Sequence, residues 1–193
     1  LIETKLQKYL PTVQHHMVVV IPSYKNAQWY ERNLASVFEQ TYKNYSVIYI
    51  DDASPDKTGD LVEAYVKKMG KQESVRVIKN AINKGAMANI YAAIHSVDAS
   101  AIIVTLDGDD FFAKSSVLEL INKVYNKYDV VLTYGSYQEY AYKGEPGHNC
   151  QQVPKDIIDQ RVYRCMDFFA MSQLKTFKAG RFRAIAKEDL MYE

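Results

Sequence analysis

The run Ala101-Ile102-Ile103-Val104, followed almost at once by Leu106-Asp107-Gly108-Asp109-Asp110, constrains this chain more than any other stretch. An apolar run without polar alternation reads as a strand buried on both faces, and such strands belong to parallel sheets covered by helices. The strand then exits into three carboxylates within four residues. Like charges crowded beside a buried strand repel, and burial raises the cost, unless a cation shares the site. Hard divalent cations such as Mg²⁺ or Mn²⁺ take oxygen ligands of this kind. The feature therefore implies a metal that meets a phosphate-bearing ligand.

The remaining pattern supplies the sheet. Met17–Ile21 reads as a short buried strand, and Leu34, Val37 and Phe38 mark a helix over Gln28–Gln40. Tyr45–Ile50 is a second strand, ending in Asp51-Asp52. Ser54-Pro55 reads as an N-cap with proline in the first turn; Val62, Tyr65, Val66 and Met69 give that helix its buried face, and Gly70 stops it. Val75–Ile78 is a third strand. Gly85 opens a helix with the stripe Met87, Ile90, Tyr91 and Ile94, and Ala101–Leu106 is the fourth strand. Ser116 and Glu119 read as a capping box for a helix through about Lys127. Val130–Tyr134 is a fifth strand, with a continuation towards Tyr140. Beyond it the pattern loosens: residues 143–147 form a turn, and residues 163–187 read as helical pieces broken at Gly180. This order predicts an α/β fold with a mostly parallel sheet, helices on both faces and right-handed crossovers.

Composition narrows the function. With 193 residues, 48% hydrophobic and 24% charged, the chain suits one globular domain. A net charge of +1 gives no global pull towards nucleic acid or anionic lipid. Cys150 and Cys165 offer neither metal-ligand spacing nor a disulfide framework, and a reduced, cytoplasmic setting is expected. No apolar run reaches the roughly 18 residues that span a bilayer, so membrane association is not encoded in this segment. The 16 tyrosines suit a tyrosine-rich core and sheet surface. Leu1 stands where a methionine would begin a chain, and a piece of a longer protein is expected.

All strands of a parallel sheet end on one edge, so Pro22-Ser23-Tyr24, Asp51-Asp52 and Asp107-Gly108-Asp109 should converge there, where open α/β sheets bind ligands. Tyr24 could stack on a base or sugar, and Asp52 could accept from a ring N–H or a ribose hydroxyl. Asn83-Lys84-Gly85 precedes a helix whose N-terminus suits a phosphate. Asp109 could hold a cation bridging two phosphates. Together these describe a pocket for a nucleoside diphosphate. Each piece also has a plainer use: Asp51-Asp52 as a turn cap, Asn83 and Gly85 as a helix start, Tyr24 as packing. Competing motifs fail on spacing. An EF-hand beginning at Asp107 would need glycine where Phe112 stands. A haloacid-dehalogenase-type phosphatase would carry its Asp-x-Asp on the first strand, and neither a dinucleotide-binding G-x-G-x-x-G nor a Walker A sequence is present.

In order and spacing, Val18-Val19-Val20-Ile21-Pro22-Ser23-Tyr24, Leu34 to Thr41, Ile50-Asp51-Asp52-Ala53-Ser54, Asn83-Lys84-Gly85 and Asp107-Gly108-Asp109-Asp110 resemble family 2 glycosyltransferases of the GT-A fold, a Rossmann-like architecture. Leu174 to Gly180 also looks like a segment of some members. The resemblance implies a nucleotide-sugar donor, usually a UDP-sugar, a divalent cation (Mn²⁺ or Mg²⁺), and transfer with inversion to the hydroxyl of a carbohydrate, lipid or protein acceptor. By position it places Pro22 and Tyr24 at the nucleoside, Asp52 at the base, Lys84 near the nucleoside or diphosphate, Asp107 at ribose or metal, and Asp109 on the metal. It divides the chain into an extension (1–16), a nucleotide-sugar-binding core (17–135) and the start of an acceptor-side region (136–193), with acceptor contacts expected between Tyr134 and Gln160. The catalytic base is open between Glu188, Asp189 and a carboxylate beyond Glu193. A nucleotide-sugar-binding module without catalysis and a Mg²⁺-dependent phosphatase stand as alternatives.

Overall fold

Met17–Ser23, seven consecutive buried residues, form β1 in the middle of the sheet. The computed structural model describes residues 12–138, 150–162 and 174–190. β1 pairs in parallel with β2 (Tyr45–Asp51) on one side and β4 (Ile102–Thr105) on the other, and β2 pairs in parallel with β3 (Val75–Lys79). Two short strands complete the order β3-β2-β1-β4-β6-β5: β6 (Thr176–Lys178) runs antiparallel to both β4 and β5 (Leu132–Thr133). The sheet is thus mostly parallel, as predicted, with one reversed strand.

Alternation along the strands sorts side chains onto two faces. Met17, Val19, Ile21, Val47, Tyr49, Ile102 and Val104 point to one core, covered by α1 (Tyr30–Phe38), α2 (Thr58–Lys68) and α4 (Val117–Lys127). Val18, Val20, Ile48, Ile50 and Ile103 point to the other, covered by α3 (Ala86–His95) and by Ala179 of α6 (Ala179–Phe182). Two further short helices are α5 (Lys155–Gln160) and α7 (Lys187–Leu190). No helix among the described residues is long and apolar enough to cross a membrane.

Several local readings need correction. The expected strand at Val130–Tyr134 shrinks to two residues. Residues 176–178, read as helical, form β6, because Thr176 and Phe177 pair with Val104 and Ile103 of a distant strand. Gly180 does not break a helix. It lies inside α6, donates its N–H to the Ala99 carbonyl at 2.9 Å, and a Cβ there would stand 3.0 Å from that oxygen. Ser54-Pro55 precedes α2 without starting it. The helix begins at Thr58, whose N–H and hydroxyl both donate to Asp56. On α3, Met87 is exposed while Asn89, Ala93 and Ile94 are buried.

The capping box also fails: Ser116 precedes α4 without a side-chain cap, and Glu119 instead pairs with Lys123. The cap comes from the turn that follows α1. Gln40, 0% exposed, accepts from the Leu118 N–H at 3.1 Å and donates to the carbonyls of Ser36 and Lys114. Gln40→Leu would keep the shape and strand those groups, so a loss of about 2–4 kcal/mol is expected in urea unfolding.

Candidate active site

The register sets Ser23 beside Asp51, so the first two strands end level. After β4 the chain keeps to β1: the Leu106 N–H donates to the Val20 carbonyl and the Gly108 N–H to that of Pro22. The three polar strand ends therefore do converge. Pro22, Ser23, Tyr24, Asp52, Asp107 and Asp109 line one cleft of about 280 Å³, with Asn26, Ala86, Asn89 and Gly108.

Tyr24 stands in its wall 44% exposed, with the Lys25 ammonium 5.1 Å from the ring centre. The two loops beside it are laced together. Lys25, Asn26 and Ala27 donate backbone N–H groups to Ser54, Thr58 and Asp56, and Asp52 N–H donates to the Ser23 carbonyl. Burial opposes the Asp56 charge, but bonds from Thr58 and the Ala27 amide outweigh it and hold the carboxyl below the usual range. Lys25, Ala53 and Lys57 all take left-handed backbone here, a strain that surrounding contacts must hold.

Asp52 is 3% exposed. Its carboxylate accepts from Asn80 Nδ2 at 2.7 Å, the Lys84 N–H at 3.0 Å and the Gly85 N–H at 2.8 Å. Burial pushes its carboxyl up, but Asn89, the Lys84 amide, Asn80 and the Gly85 amide more than offset this and hold it below the usual range. Asn89 makes no hydrogen bond of good geometry through Nδ2, so its share is that of a nearby amide dipole. The backbone of Asn83-Lys84-Gly85 thus wraps around Asp52. The Lys84 ammonium turns to Asn80 Oδ1 at 3.1 Å, outside the set of side chains lining the cleft.

On the other wall, Gly108 passes over Ser23 and Asn26. A Cβ on Gly108 would lie 2.5 Å from Asn26 Nδ2 and 2.6 Å from Ser23 Oγ, so only glycine allows this approach. Ser23 is itself held by Asn26 and by the Tyr49 hydroxyl at 2.9 Å. Burial pushes Tyr49 up to about 12, which keeps that hydroxyl a donor. Asp110 is pushed up to about 6, first by burial and then by the charges of Asp107 and Asp109. Among the described residues no cluster of three metal-ligating side chains exists. Two carboxylates at a cleft are the donor set of a Mg²⁺ or Mn²⁺ ion that takes its other ligands from water and substrate phosphates.

Glu188 and Asp189 sit exposed on α7 and do not line the cleft. Of the region from Tyr134 to Gln160, residues 139–149 lie outside the described residues. Sequence reasoning missed Asn26, Asn33, Asp56, Asn80 and Asn89. Only Asn33 left a signal, standing with Ser36 and Gln40 at i, i+3 and i+7 in the predicted helix over Gln28–Gln40, of which the structure keeps Tyr30–Phe38.

Comparison with known proteins fits this geometry. The model of glycosyl transferase family 2 matches residues 18–190, and the chain belongs to that family. It is 30% identical over 122 residues to the glycosyltransferase GlyG of Streptococcus pneumoniae, covering 63% of this chain and 39% of GlyG. Among solved structures, a 1–349 fragment of S. aureus TarS superposes with a TM-score of 0.66 at 17% identity, over 87% of this chain and 48% of that one. The same fragment in complex with UDP-GlcNAc gives 0.63. The mannosyltransferase PcManGT of Pyrobaculum calidifontis, in complex with GDP-Man and Mn²⁺, gives 0.57 at 21% identity, over 91% of this chain and 50% of that one. The chain thus spans half or less of each of these proteins, and the fold is that of GT-A glycosyltransferases.

Two outcomes are expected. Gly108→Ala keeps the fold, because its cleft is peripheral to both cores, but displaces the acidic turn, which should show as amide chemical-shift changes over residues 107–110 together with a loss of about 1–2 kcal/mol in urea unfolding. Asp52 stabilises the fold above its unfolded pKa, and this is lost as pH falls through the depressed folded value. Asp52→Asn should therefore cost about 1–3 kcal/mol at pH 7, and the gap to wild type should narrow below about pH 4 in denaturant titrations.

Proposed function

We propose that the cleft binds a nucleotide-sugar donor, a UDP-sugar, together with a divalent cation, and that the chain serves transfer of the sugar with inversion to an acceptor hydroxyl. The observation that carries this reading is the meeting of Tyr24, Asp52, Asp107 and Asp109 around one cleft at the carboxyl edge of the sheet.

Each residue has a task its surroundings suit. Tyr24 offers a ring face to the base, and Pro22 forms the adjoining wall. A carboxylate has about four lone-pair sites. Three donors already make four contacts with Asp52, the Lys84 N–H reaching both oxygens, so the ring N–H of a base would share an oxygen with that split bond. Asp107 and Asp109 would hold the cation. When bound, the cation neutralises the charge that develops on the departing diphosphate. Lys84 presents its charge at the rim of the site. The described residues supply no carboxylate at the cleft that is free for the role of base. The second reading is a module that binds the donor without transferring it. The phosphatase alternative loses its support to the family match.

Calorimetric titration of UDP, GDP and UDP-sugars with and without Mn²⁺ tests the donor site. Mn²⁺-dependent binding of a uridine nucleotide is expected, and Asp109→Ala should abolish the metal-dependent part in a folded protein. No binding of any nucleotide would refute the reading. Sugar transfer from the bound donor, against binding alone, separates enzyme from module.

A further inference from the structure

Asn33 and Ser36 of helix α1, and Gln40 just beyond its end, form a polar stripe beside the apolar one, and all three grip the backbone that follows β4. Asn33 Nδ2 donates to the carbonyl oxygens of Asp107 at 3.0 Å and Asp110 at 2.7 Å. Ser36 Oγ accepts from the Phe112 N–H at 3.0 Å, and Gln40 reaches Lys114 and Leu118. Between the two carbonyls held by Asn33, the Asp110 N–H donates back to Asp107 at 3.0 Å, closing the acidic turn. Asn33 is 1% exposed and its Oδ1 has no hydrogen-bond partner. The amide orientation follows, since only the nitrogen can face two carbonyl oxygens. An apolar side chain would fill the same space without the unpaired Oδ1, but it would take this donor from the Asp110 carbonyl.

We propose that Asn33 is a positioning residue for the divalent cation: by strapping both carbonyls of the turn, it holds Asp107 and Asp109 at the spacing in which they receive the metal. The proposal rests on the reading of the cleft as a metal and nucleotide-sugar site. Its physical basis is repulsion. Three carboxylates share a four-residue turn, and without a cation their mutual repulsion opposes its closed form. A lysine or arginine could restrain it, but would pair with the carboxylates and compete with the cation. A neutral amide that bonds only to the backbone restrains the turn and leaves both carboxylates charged. Partners of this outer kind commonly set metal affinity by about 10- to 100-fold.

The test is Mn²⁺ affinity with UDP saturating, read from the electron paramagnetic resonance signal of free Mn²⁺, in wild type, Asn33→Ala and Asn33→Leu. UDP affinity in EDTA is measured beside it, and circular dichroism melting shows which variants fold. Mn²⁺ affinity should fall about tenfold or more in both variants, while metal-free UDP affinity stays within about twofold, because Tyr24 and Asp52 are untouched. Unchanged Mn²⁺ affinity in a folded variant overturns the proposal. Parallel loss of Mn²⁺ and metal-free UDP binding, or failure of both variants to fold, also overturns it by assigning Asn33 to the fold alone. A wild type that binds UDP with no Mn²⁺ dependence is a separate result: it removes the metal reading of the cleft, and this proposal with it.

Discussion

Parallel pairing of β1 with both β2 and β4 is the constraint on which the site depends. It puts the ends of three strands on one edge. Because β1 is buried along its whole length, its register is set by which side chains meet each core. A slip by one residue would turn Met17, Val19 and Ile21 onto the α3 face and carry Ser23 away from Asp51. The loops after the strands then have little freedom. The Pro22 and Ser23 carbonyls already accept from Gly108 and Asp52, which joins the three loops across the edge.

That convergence concentrates negative charge, and the structure handles each carboxylate differently. Asp52 is buried but surrounded by donors, so it stays ionised. Asp56 is spent on the turn that links the first two loops. Asp110 has burial and two like charges against it, and its carboxyl rises to about 6. Asp107 and Asp109 face the cleft, where a cation can meet them. The cleft thus sets one carboxylate satisfied by amide donors beside an acidic turn whose charges crowd one another.

Legibility in the sequence followed the range of the interactions. The first four strands were legible because their apolar runs are local, and the two ends of α4 fell within a residue of expectation. The wrong readings involve partners far away in the chain. Ser116 and Glu119 look like a capping box, yet α4 is capped by Gln40, 78 residues from Leu118. Thr176-Phe177-Lys178 is too short to show a period, and its strand identity comes from β4. The contacts of Lys84 were equally hidden from the sequence: its amide serves Asp52 and its ammonium serves Asn80.

The sequence alone determined the alternation of strands and helices, and with it the edge at which Tyr24, Asp52, Asp107 and Asp109 gather, since period and strand direction are properties of short segments. Only the tertiary structure decided how those groups are held. Asn33 and Asp107 are 74 residues apart, and Asn80 and Asp52 are 28 apart. A hydrogen bond between buried amides and distant carbonyls has no period, no fixed spacing and no composition to announce it. It exists only once the two cores have packed and brought the backbone groups within reach.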